Sequence, residues 1–315
     1  MKKKTPPEIY YSEYGVSLAS PRTFFCDNSS FGSFVYDLEE QKKYLVAKKP
    51  KESEIVALSA DGKQALTIDT TFDTRKRFIR LVEVETQTEQ MATKVAFGYE
   101  GVFSPVESLL VIRGDIKKRE KVFIYNWQTE EVVYTFPGAH PLTYGHLNGE
   151  LQAFVLPNPR KKAEVFHYDF QTGEGQVVSL PSKRLIHRVS LIDTETYFYI
   201  DGDYIATLYK EGQVEWQIKL DFDSSLHYAP DYFIKGNRVY FSCVYDTVVE
   251  GTEKEQTCFY TIDMEKGKLE PLLIPQEDLF GTFYPFIGNQ VINNFGKCLD
   301  LDTMEFSTLG VEVFK

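Results

Sequence analysis

The sequence predicts an all-β protein assembled from seven similar units. Two observations support this prediction: a strand–turn–strand pattern that recurs along the chain, and a composition that favours pleated sheets. Aromatic residues make up 15% of the 315 residues, with 24 Phe and 20 Tyr, and such side chains are enriched in strands. No window shows a convincing 3.6-residue apolar period, so few helices are expected.

The recurring pattern is clearest between Val165 and Val178, where "VFHYDFQTGEGQVV" alternates apolar and polar residues on both sides of a turn. Six related stretches occur elsewhere, and equivalent positions lie on average about 44 residues apart. A four-stranded propeller blade takes roughly 40–45 residues, so seven blades would occupy nearly the whole chain. The equivalent positions are Asp37, Glu83, Asn126, Asp169, Leu208, Asp263 and Asp300.

A second, inner hairpin is predicted in each unit from Gly and Asn turn signals. These signals separate apolar runs at four places: Ser59–Gly62, Asn148–Gly149, Lys235–Asn237 and Gly288–Asn289. Two hairpins per unit give four antiparallel strands, and the predicted fold is a seven-bladed β-propeller of four-stranded antiparallel blades. A single domain is expected over residues 1–315, with approximate blades at 10–48, 52–93, 98–137, 140–180, 184–221, 226–275 and 279–315.

Two turns carry a resemblance to known proteins. The Asp-x-x-Thr-Gly turn at Asp169–Gly173 resembles the turn between the two outer strands of WD40-like and YVTN-like propellers, and "SADGK" at Ser59–Lys63 resembles the inner turn common in bacterial propellers. No Trp-Asp dipeptide of true WD40 repeats is present. The resemblance therefore implies the architecture and no particular family's function. Ring closure stays open: "EIYYSEY" near the N-terminus can add a strand to the last blade, or that blade can close alone.

Charge and targeting signals limit the expected partners and location. The formal net charge of −11, from 35 basic and 46 acidic residues, argues against a nucleic-acid-binding protein. No apolar run approaches the roughly 18 residues of a membrane span. Met1–Lys4 is followed by Thr5 and Pro6 rather than an apolar segment, so a cytoplasmic location is expected. The protein is also expected to be a monomer. Export after removal of a signal peptide is the alternative, and the Asn28–Ser30 sequon would matter only then.

Neither the cysteines nor a comparison with known catalytic motifs indicates a particular reaction. None of the four cysteines forms a CxxC pair, so no zinc site of that spacing is predicted. Cys243 and Cys258 can face each other across two strands, as reduced thiols in a reducing cell. No GxSxG, P-loop or HExxH motif occurs, and Gly173–Gly175 is interpreted as a turn rather than a phosphate loop. No cofactor and no catalytic residue are predicted.

The leading functional hypothesis is a non-enzymatic scaffold that docks an acidic protein partner. Loops between the second and third strands of blades two to four are rich in Lys and Arg, while those of blades five and six are acidic ("DGD" from Asp201 and "VEGTEKE" from Val249). Such a polarised face can steer an acidic protein, although lysines at hairpin tips can also serve only solubility. The predicted partner-binding residues are Arg75, Lys76, Arg77, Lys117, Lys118, Arg119, Arg160, Lys161 and Lys162.

The alternative hypothesis is a hydrolase- or lyase-type propeller enzyme, or a small-ligand binder, acting at the mouth of the central channel. The first residues of the innermost strands should lie near that mouth, and imidazoles there suit proton transfer or transition metals. These histidines can equally be ordinary residues at strand ends. The predicted mouth residues are Tyr14, Tyr99, His140, His187, His227 and Tyr284.

Overall fold

The computed structural model describes most of the chain. The described residues are 11–16, 22–27, 33–47, 53–71, 76–92, 98–138, 140–222, 231–249, 252–272, 283–286, 288–293 and 297–308, and for some strand residues only the backbone is described.

Within these residues, 28 strands form seven four-stranded sheets. The first sheet contains β1 (Tyr11–Val16), β2 (Arg22–Asp27), β3 (Ser33–Asp37) and β4 (Lys42–Ala47). The second contains β5 (Ser53–Leu58), β6 (Gln64–Thr71), β7 (Lys76–Glu83) and β8 (Glu89–Ala92). The third contains β9 (Gly98–Phe103), β10 (Leu109–Ile116), β11 (Arg119–Asn126) and β12 (Glu131–Phe136). The fourth contains β13 (His146–Asn148), β14 (Ala153–Pro157), β15 (Glu164–Asp169) and β16 (Glu174–Ser179).

The remaining three sheets follow the same plan. The fifth contains β17 (Ile186–Asp193), β18 (Thr196–Asp201), β19 (Ile205–Lys210) and β20 (Gln213–Lys219). The sixth contains β21 (Asp231–Lys235), β22 (Arg238–Val249), β23 (Thr252–Asp263) and β24 (Lys268–Leu272). The seventh contains β25 (Phe283–Pro285), β26 (Gln290–Asn293), β27 (Lys297–Asp300) and β28 (Phe306–Thr308).

Every sheet is built from consecutive strands that are hydrogen-bonded in chain order and antiparallel. The predicted propeller architecture of four-stranded antiparallel blades is therefore confirmed. β1, which includes part of "EIYYSEY", pairs with β2 in the first sheet. Within the described residues, no strand from one end of the chain joins the sheet at the other end.

Burial falls from the middle of each sheet to its outer edge. All residues of β14 and β18 are buried, whereas the fourth strands β16 and β20 are largely exposed. Middle strands are covered on both faces by neighbouring sheets, which explains why they are nearly continuous runs of apolar and aromatic residues.

Neighbouring sheets pack face to face through aromatic and aliphatic side chains. The ring of Phe136 on β12 lies 5.6 Å from that of Phe154 on β14, and the ring of Phe198 on β18 lies 5.1 Å from that of Tyr232 on β21, centroid to centroid. β1 also contacts β25, so the first and last sheets touch. The apolar core is thus a series of layers between sheets.

An Asp or Asn side chain caps the turn between the two outer strands in five sheets of the described structure. Asp169 Oδ1 accepts the N–H groups of Gln171 and Thr172 at 2.7 and 3.2 Å. The same two contacts are made by Asp37, Asn126, Asp263 and Asp300. These caps explain why the turn could be recognised from the sequence.

Cys243 and Cys258 are directly opposite each other on β22 and β23, which confirms the predicted facing pair, and neither is in a disulfide. No helix in the described part of the chain is long and apolar enough to cross a membrane.

Candidate functional site

One face of the molecule carries most of the predicted site residues. The chain enters the first strand of each sheet on this side, which we call the entry face. Because successive strands are antiparallel, the turns between second and third strands lie on the same side. The basic loops and the predicted mouth residues therefore belong to one face.

The entry-face turn of the third sheet consists of Lys117 and Lys118, between β10 and β11. Both residues are exposed and have positive φ angles, 51° and 65°. Two successive residues with positive φ are typical of a type I′ turn, for which Asn-Gly is the preferred sequence. The Cβ of lysine disfavours positive φ, so the backbone is strained at both positions. Local turn preference therefore does not explain these two residues.

A shallow depression of about 400 Å³ adjoins this turn, and cationic side chains surround it. Its lining residues are Ile116, Lys117, Arg119, Lys121 and Thr135. Within the described residues, the side chains of Lys117, Arg119 and Lys121 form no ion pair. Their charges are thus available to an external anion.

The corresponding loop of the fourth sheet presents Arg160, Lys161 and Lys162, all exposed. Buried Asn158 shapes it, because its Oδ1 accepts the Arg160 N–H and its Nδ2 donates to Glu164, each at 3.0 Å. Lys161 Nζ lies 3.4 Å from Glu164 Oε1, but the lysine side chain is 68% exposed. An exposed pair of this kind holds its partner weakly.

The loops of the third and fourth sheets adjoin each other. Gly138 follows β12, and a Cβ on it would lie 2.6 Å from Cγ of Pro159 in the fourth sheet's loop. Thr135 of the depression lies three residues before Gly138 on the same segment. The two groups of cations therefore belong to one continuous part of the entry face.

The structure reduces the acidic character predicted for the fifth sheet's loop to one surface carboxylate, Asp203. Asp201 is only 5% exposed and accepts hydrogen bonds from Ser182 Oγ and the Asp203 N–H. Asp203 pairs with Arg184 at 2.8 Å. Asp201 is thus removed from the surface by burial, whereas Asp203 stays 46% exposed in a surface pair with Arg184, and exposed Lys183 lies beside them.

Several predicted site residues, or their side chains, lie outside the described part of the structure. Arg75 and His227 lie outside the described residues, as do the side chains of Lys76 and Arg77 at the start of β7. Tyr14, Tyr99 and Tyr284 lie in β1, β9 and β25, the first strands of their sheets, with only the backbone described.

His140 and His187 lie within electrostatic range of each other at the entry face. Burial lowers the pKa of His140, and the charges of His187 and Arg113 lower it further. The ring of His140 also lies 5.3 Å from that of Tyr144, centroid to centroid. One detail needs correction: a 3₁₀ turn, Leu142–Tyr144, precedes β13, so His140 lies six residues before the strand that it was expected to open.

A charged network that the sequence reasoning missed lies beside these histidines. Arg113 on β10 pairs with Glu100 and Glu120, each at 2.5 Å. Glu100 also accepts the Leu142 N–H from the connection to the fourth sheet. The sequence did contain one indication of this network: Arg113 interrupts the apolar run "LLVIRGDI", and a charged residue in a buried strand needs acidic partners. No group of three or more potential metal-ligating His, Cys, Asp or Glu side chains occurs among the described residues.

Comparison with solved structures finds similar folds over nearly the whole chain. The uncharacterised protein lmo1340 from Listeria monocytogenes is 12% identical with a TM-score of 0.63, covering 95% of this chain and 94% of its own. The β-propeller domain of the Trilobed protease from Pyrococcus furiosus, described as having an open velcro topology, is 13% identical with a TM-score of 0.63, covering 98% and 97%. The β-propeller domain of Cps50 (Swd1) from Myceliophteria thermophila is 11% identical with a TM-score of 0.58, covering 96% and 97%.

The chain has a β-propeller fold. No family model matches it, and no curated protein matches it either. At these identities the similar structures show the fold alone, and they include both a protease's propeller domain and the propeller domain of Cps50 (Swd1). Function must therefore be argued from this chain's own residues.

Proposed function

We propose that this protein is a non-enzymatic interaction propeller that docks an acidic protein partner on its entry face. The docking surface comprises Lys117–Arg119 and Arg160–Lys162, together with Arg75, Lys76 and Arg77 on the second sheet's loop. The main supporting observation is that exposed cations of two adjoining loops stand together in a chain whose net charge is −11.

The physical argument combines charge with backbone geometry. A cluster of exposed cations produces a local positive field that accelerates encounter with an acidic surface. The turn keeps lysine at two positions where a different sequence would relieve strain. Ten described non-glycine residues have positive φ, and Lys117 and Lys118 are the two of them that are adjacent in the chain. A requirement for positive charge accounts for lysine at both positions.

The test is charge reversal with a matched control. Lys118→Glu combined with Lys161→Glu should weaken binding of a fluorescein-labelled oligoglutamate peptide by about tenfold or more, measured by fluorescence anisotropy at low salt. Lys63→Glu is the control. Lys63, like Lys161, is 68% exposed and lies 3.4 Å from an acidic side chain, but it is on the opposite face.

Equal loss of binding in the control variant would show that only the net charge matters, and the proposal would fail. Unchanged binding by the double variant at moderate salt would also contradict it. For the natural partner, affinity purification from the source cells should recover an acidic protein with the wild-type chain and with the Lys63 variant, and lose it with the double variant.

A second candidate is small-ligand binding or catalysis at the channel mouth. It is favoured by one observation, the position of a partly buried His140 close to His187 and Arg113; burial first, and then these two charges, lower the His140 pKa. Metal analysis of the purified protein and the double variant His140→Ala/His187→Ala test it. Stoichiometric metal that disappears in that variant would support this candidate.

We also propose that the seven sheets form a single ring of seven blades without strand exchange. Each sheet consists of consecutive strands, and β1 contacts β25. Closure through side-chain packing between the first and last blades is consistent with both observations.

A further inference from the structure

The outer strand of a propeller blade is an exposed sheet edge, and proteins usually protect such edges from pairing with another chain. Six of the seven outer strands in the described structure carry a protecting feature. β4, β8, β12 and β20 are paired through register shifts typical of β-bulges. β24 contains Pro271, and β28 has only three residues.

The outer strand of the fourth sheet, β16, has none of these features. Its six residues pair with β15 in unbroken register from Glu164↔Ser179 to Asp169↔Glu174. After Glu174 it continues as Gly-Gln-Val-Val-Ser, without charge or proline. Val177 is 54% exposed, the most exposed large apolar side chain among those described. An exposed edge in unbroken register, with no charged residue or proline after Glu174, is suited to strand addition.

A shallow groove with a mixed polar and apolar lining adjoins the same edge. It has a volume of about 390 Å³ and lies between the end of β16 and the fifth sheet. Its lining residues are Ser179, Leu180, Pro181, Tyr209, Gly212 and Val214. When a peptide adds to a sheet edge, main-chain hydrogen bonds give affinity and a groove for alternate side chains gives specificity. The groove is positioned to take an apolar side chain of an added strand.

The basic loop lies at this same end of β16. Leu180 N–H donates to the Ala163 carbonyl at 2.7 Å, and Ala163 directly follows Arg160–Lys162. Ser179 pairs with Glu164 at the entry face. A strand that pairs antiparallel to β16 would therefore have its N-terminal end beside these three cations.

We propose that the edge of β16 is a strand-addition site for an extended, acidic segment of the partner protein. The segment runs antiparallel to β16, its acidic residues come first and lie beside Arg160–Lys162, and an apolar side chain behind them enters the groove. This inference rests on the proposed function and names the kind of partner that the basic surface receives.

The probe is a fluorescein-labelled peptide of three glutamates followed by alternating valine and threonine, titrated against the full chain. A second peptide carries the glutamates at its C-terminal end, and a third is the first peptide with alternate backbone amides N-methylated. We expect the first peptide to bind about tenfold more tightly than either of the others, because only it combines the charge position with strand pairing.

The matched protein variants are Val177→Lys and Val133→Lys. Both valines are exposed, at 54% and 49%, on the outer strands of neighbouring sheets, and circular dichroism verifies folding. Lysine at position 177 should weaken binding about tenfold because it blocks the edge, although its charge alone would attract the acidic peptide. Lysine at position 133 should not weaken binding, because it leaves the edge of β16 open.

The outcomes separate the two proposals. If Lys118→Glu/Lys161→Glu abolishes binding while Val177→Lys and N-methylation have no effect, the basic surface stands and strand addition is wrong. Equal affinity for the first two peptides also overturns the predicted direction. If neither set of variants affects binding, both proposals fail.

Discussion

At the residue scale, His146 links the first strands of the fourth and fifth sheets. Its Nδ1 accepts the Leu191 N–H at 3.2 Å, and Asn148 Nδ2 donates to the Leu191 carbonyl at 3.1 Å. An accepting Nδ1 requires a neutral ring. Burial lowers the His146 pKa to about 4.

Acidification should therefore destabilise the fold through His146. In the unfolded chain this ring binds a proton below pH ~6.5, whereas the folded ring does so only near pH 4. Its contribution is complete above the unfolded pKa and is lost as pH falls towards the folded one. The free energy of unfolding should drop by about 2 kcal/mol between pH 7 and pH 5 from this residue.

Urea unfolding at a series of pH values measures this loss. The control is His146→Asn, which keeps a short side-chain acceptor but does not titrate. The variant should lose less stability than the wild type over this interval. Identical pH profiles would mean that His146 does not titrate in the predicted way.

The two glycines of Gly173-Glu174-Gly175 show what the sequence could reveal at this scale. Gly173 has a φ of 72° in the predicted turn. Gly175 has a different reason: a Cβ there would lie 2.3 Å from Cζ of Tyr134 on the neighbouring sheet. The turn was predictable from local pattern, but the close packing was not, because Tyr134 is distant in sequence.

At the element scale, the Lys117–Lys118 turn places two exposed positive charges at positions where lysine destabilises the backbone. Replacing it by Asn-Gly (Lys117→Asn, Lys118→Gly) should stabilise the protein by about 1 kcal/mol, because both residues then suit positive φ. The same variant should bind the acidic peptide less tightly, because two cations are removed.

Thermal unfolding and peptide titration together check this prediction. Lys118→Gln, which removes a charge without relieving the backbone, should lower affinity and leave stability nearly unchanged. A double variant that is less stable than the wild type would contradict the assignment of strain to this turn.

Hairpin turns were the most predictable elements, because Gly and capping Asp residues act locally. The predicted inner turn at Ser59–Gly62 is present, with the Gly62 N–H donating to the Ser59 carbonyl at 2.9 Å and a Gly62 φ of 70°. The start of the fourth sheet was less predictable, because the 3₁₀ turn Leu142–Tyr144 carries no periodic signal.

At the scale of the whole molecule, the repeat period predicted the propeller, because every blade must bury its faces against neighbours of similar size. The site was harder to predict. Charged loop residues look alike in sequence whether they bind a partner, pair with each other or shape a loop. Asp201 was predicted to be part of an acidic surface, yet its burial and hydrogen bonds are visible only in the fold.

The central claim is that an acidic partner binds the basic loops of the entry face. Hydrogen–deuterium exchange of the full chain, with and without the acidic peptide, tests this most directly. The account predicts slower exchange in Ile116–Arg119 and in residues 158–163 when the peptide is bound. Protection confined to the turns of the opposite face, such as Ser59–Lys63, or no protection at saturating peptide, would contradict it.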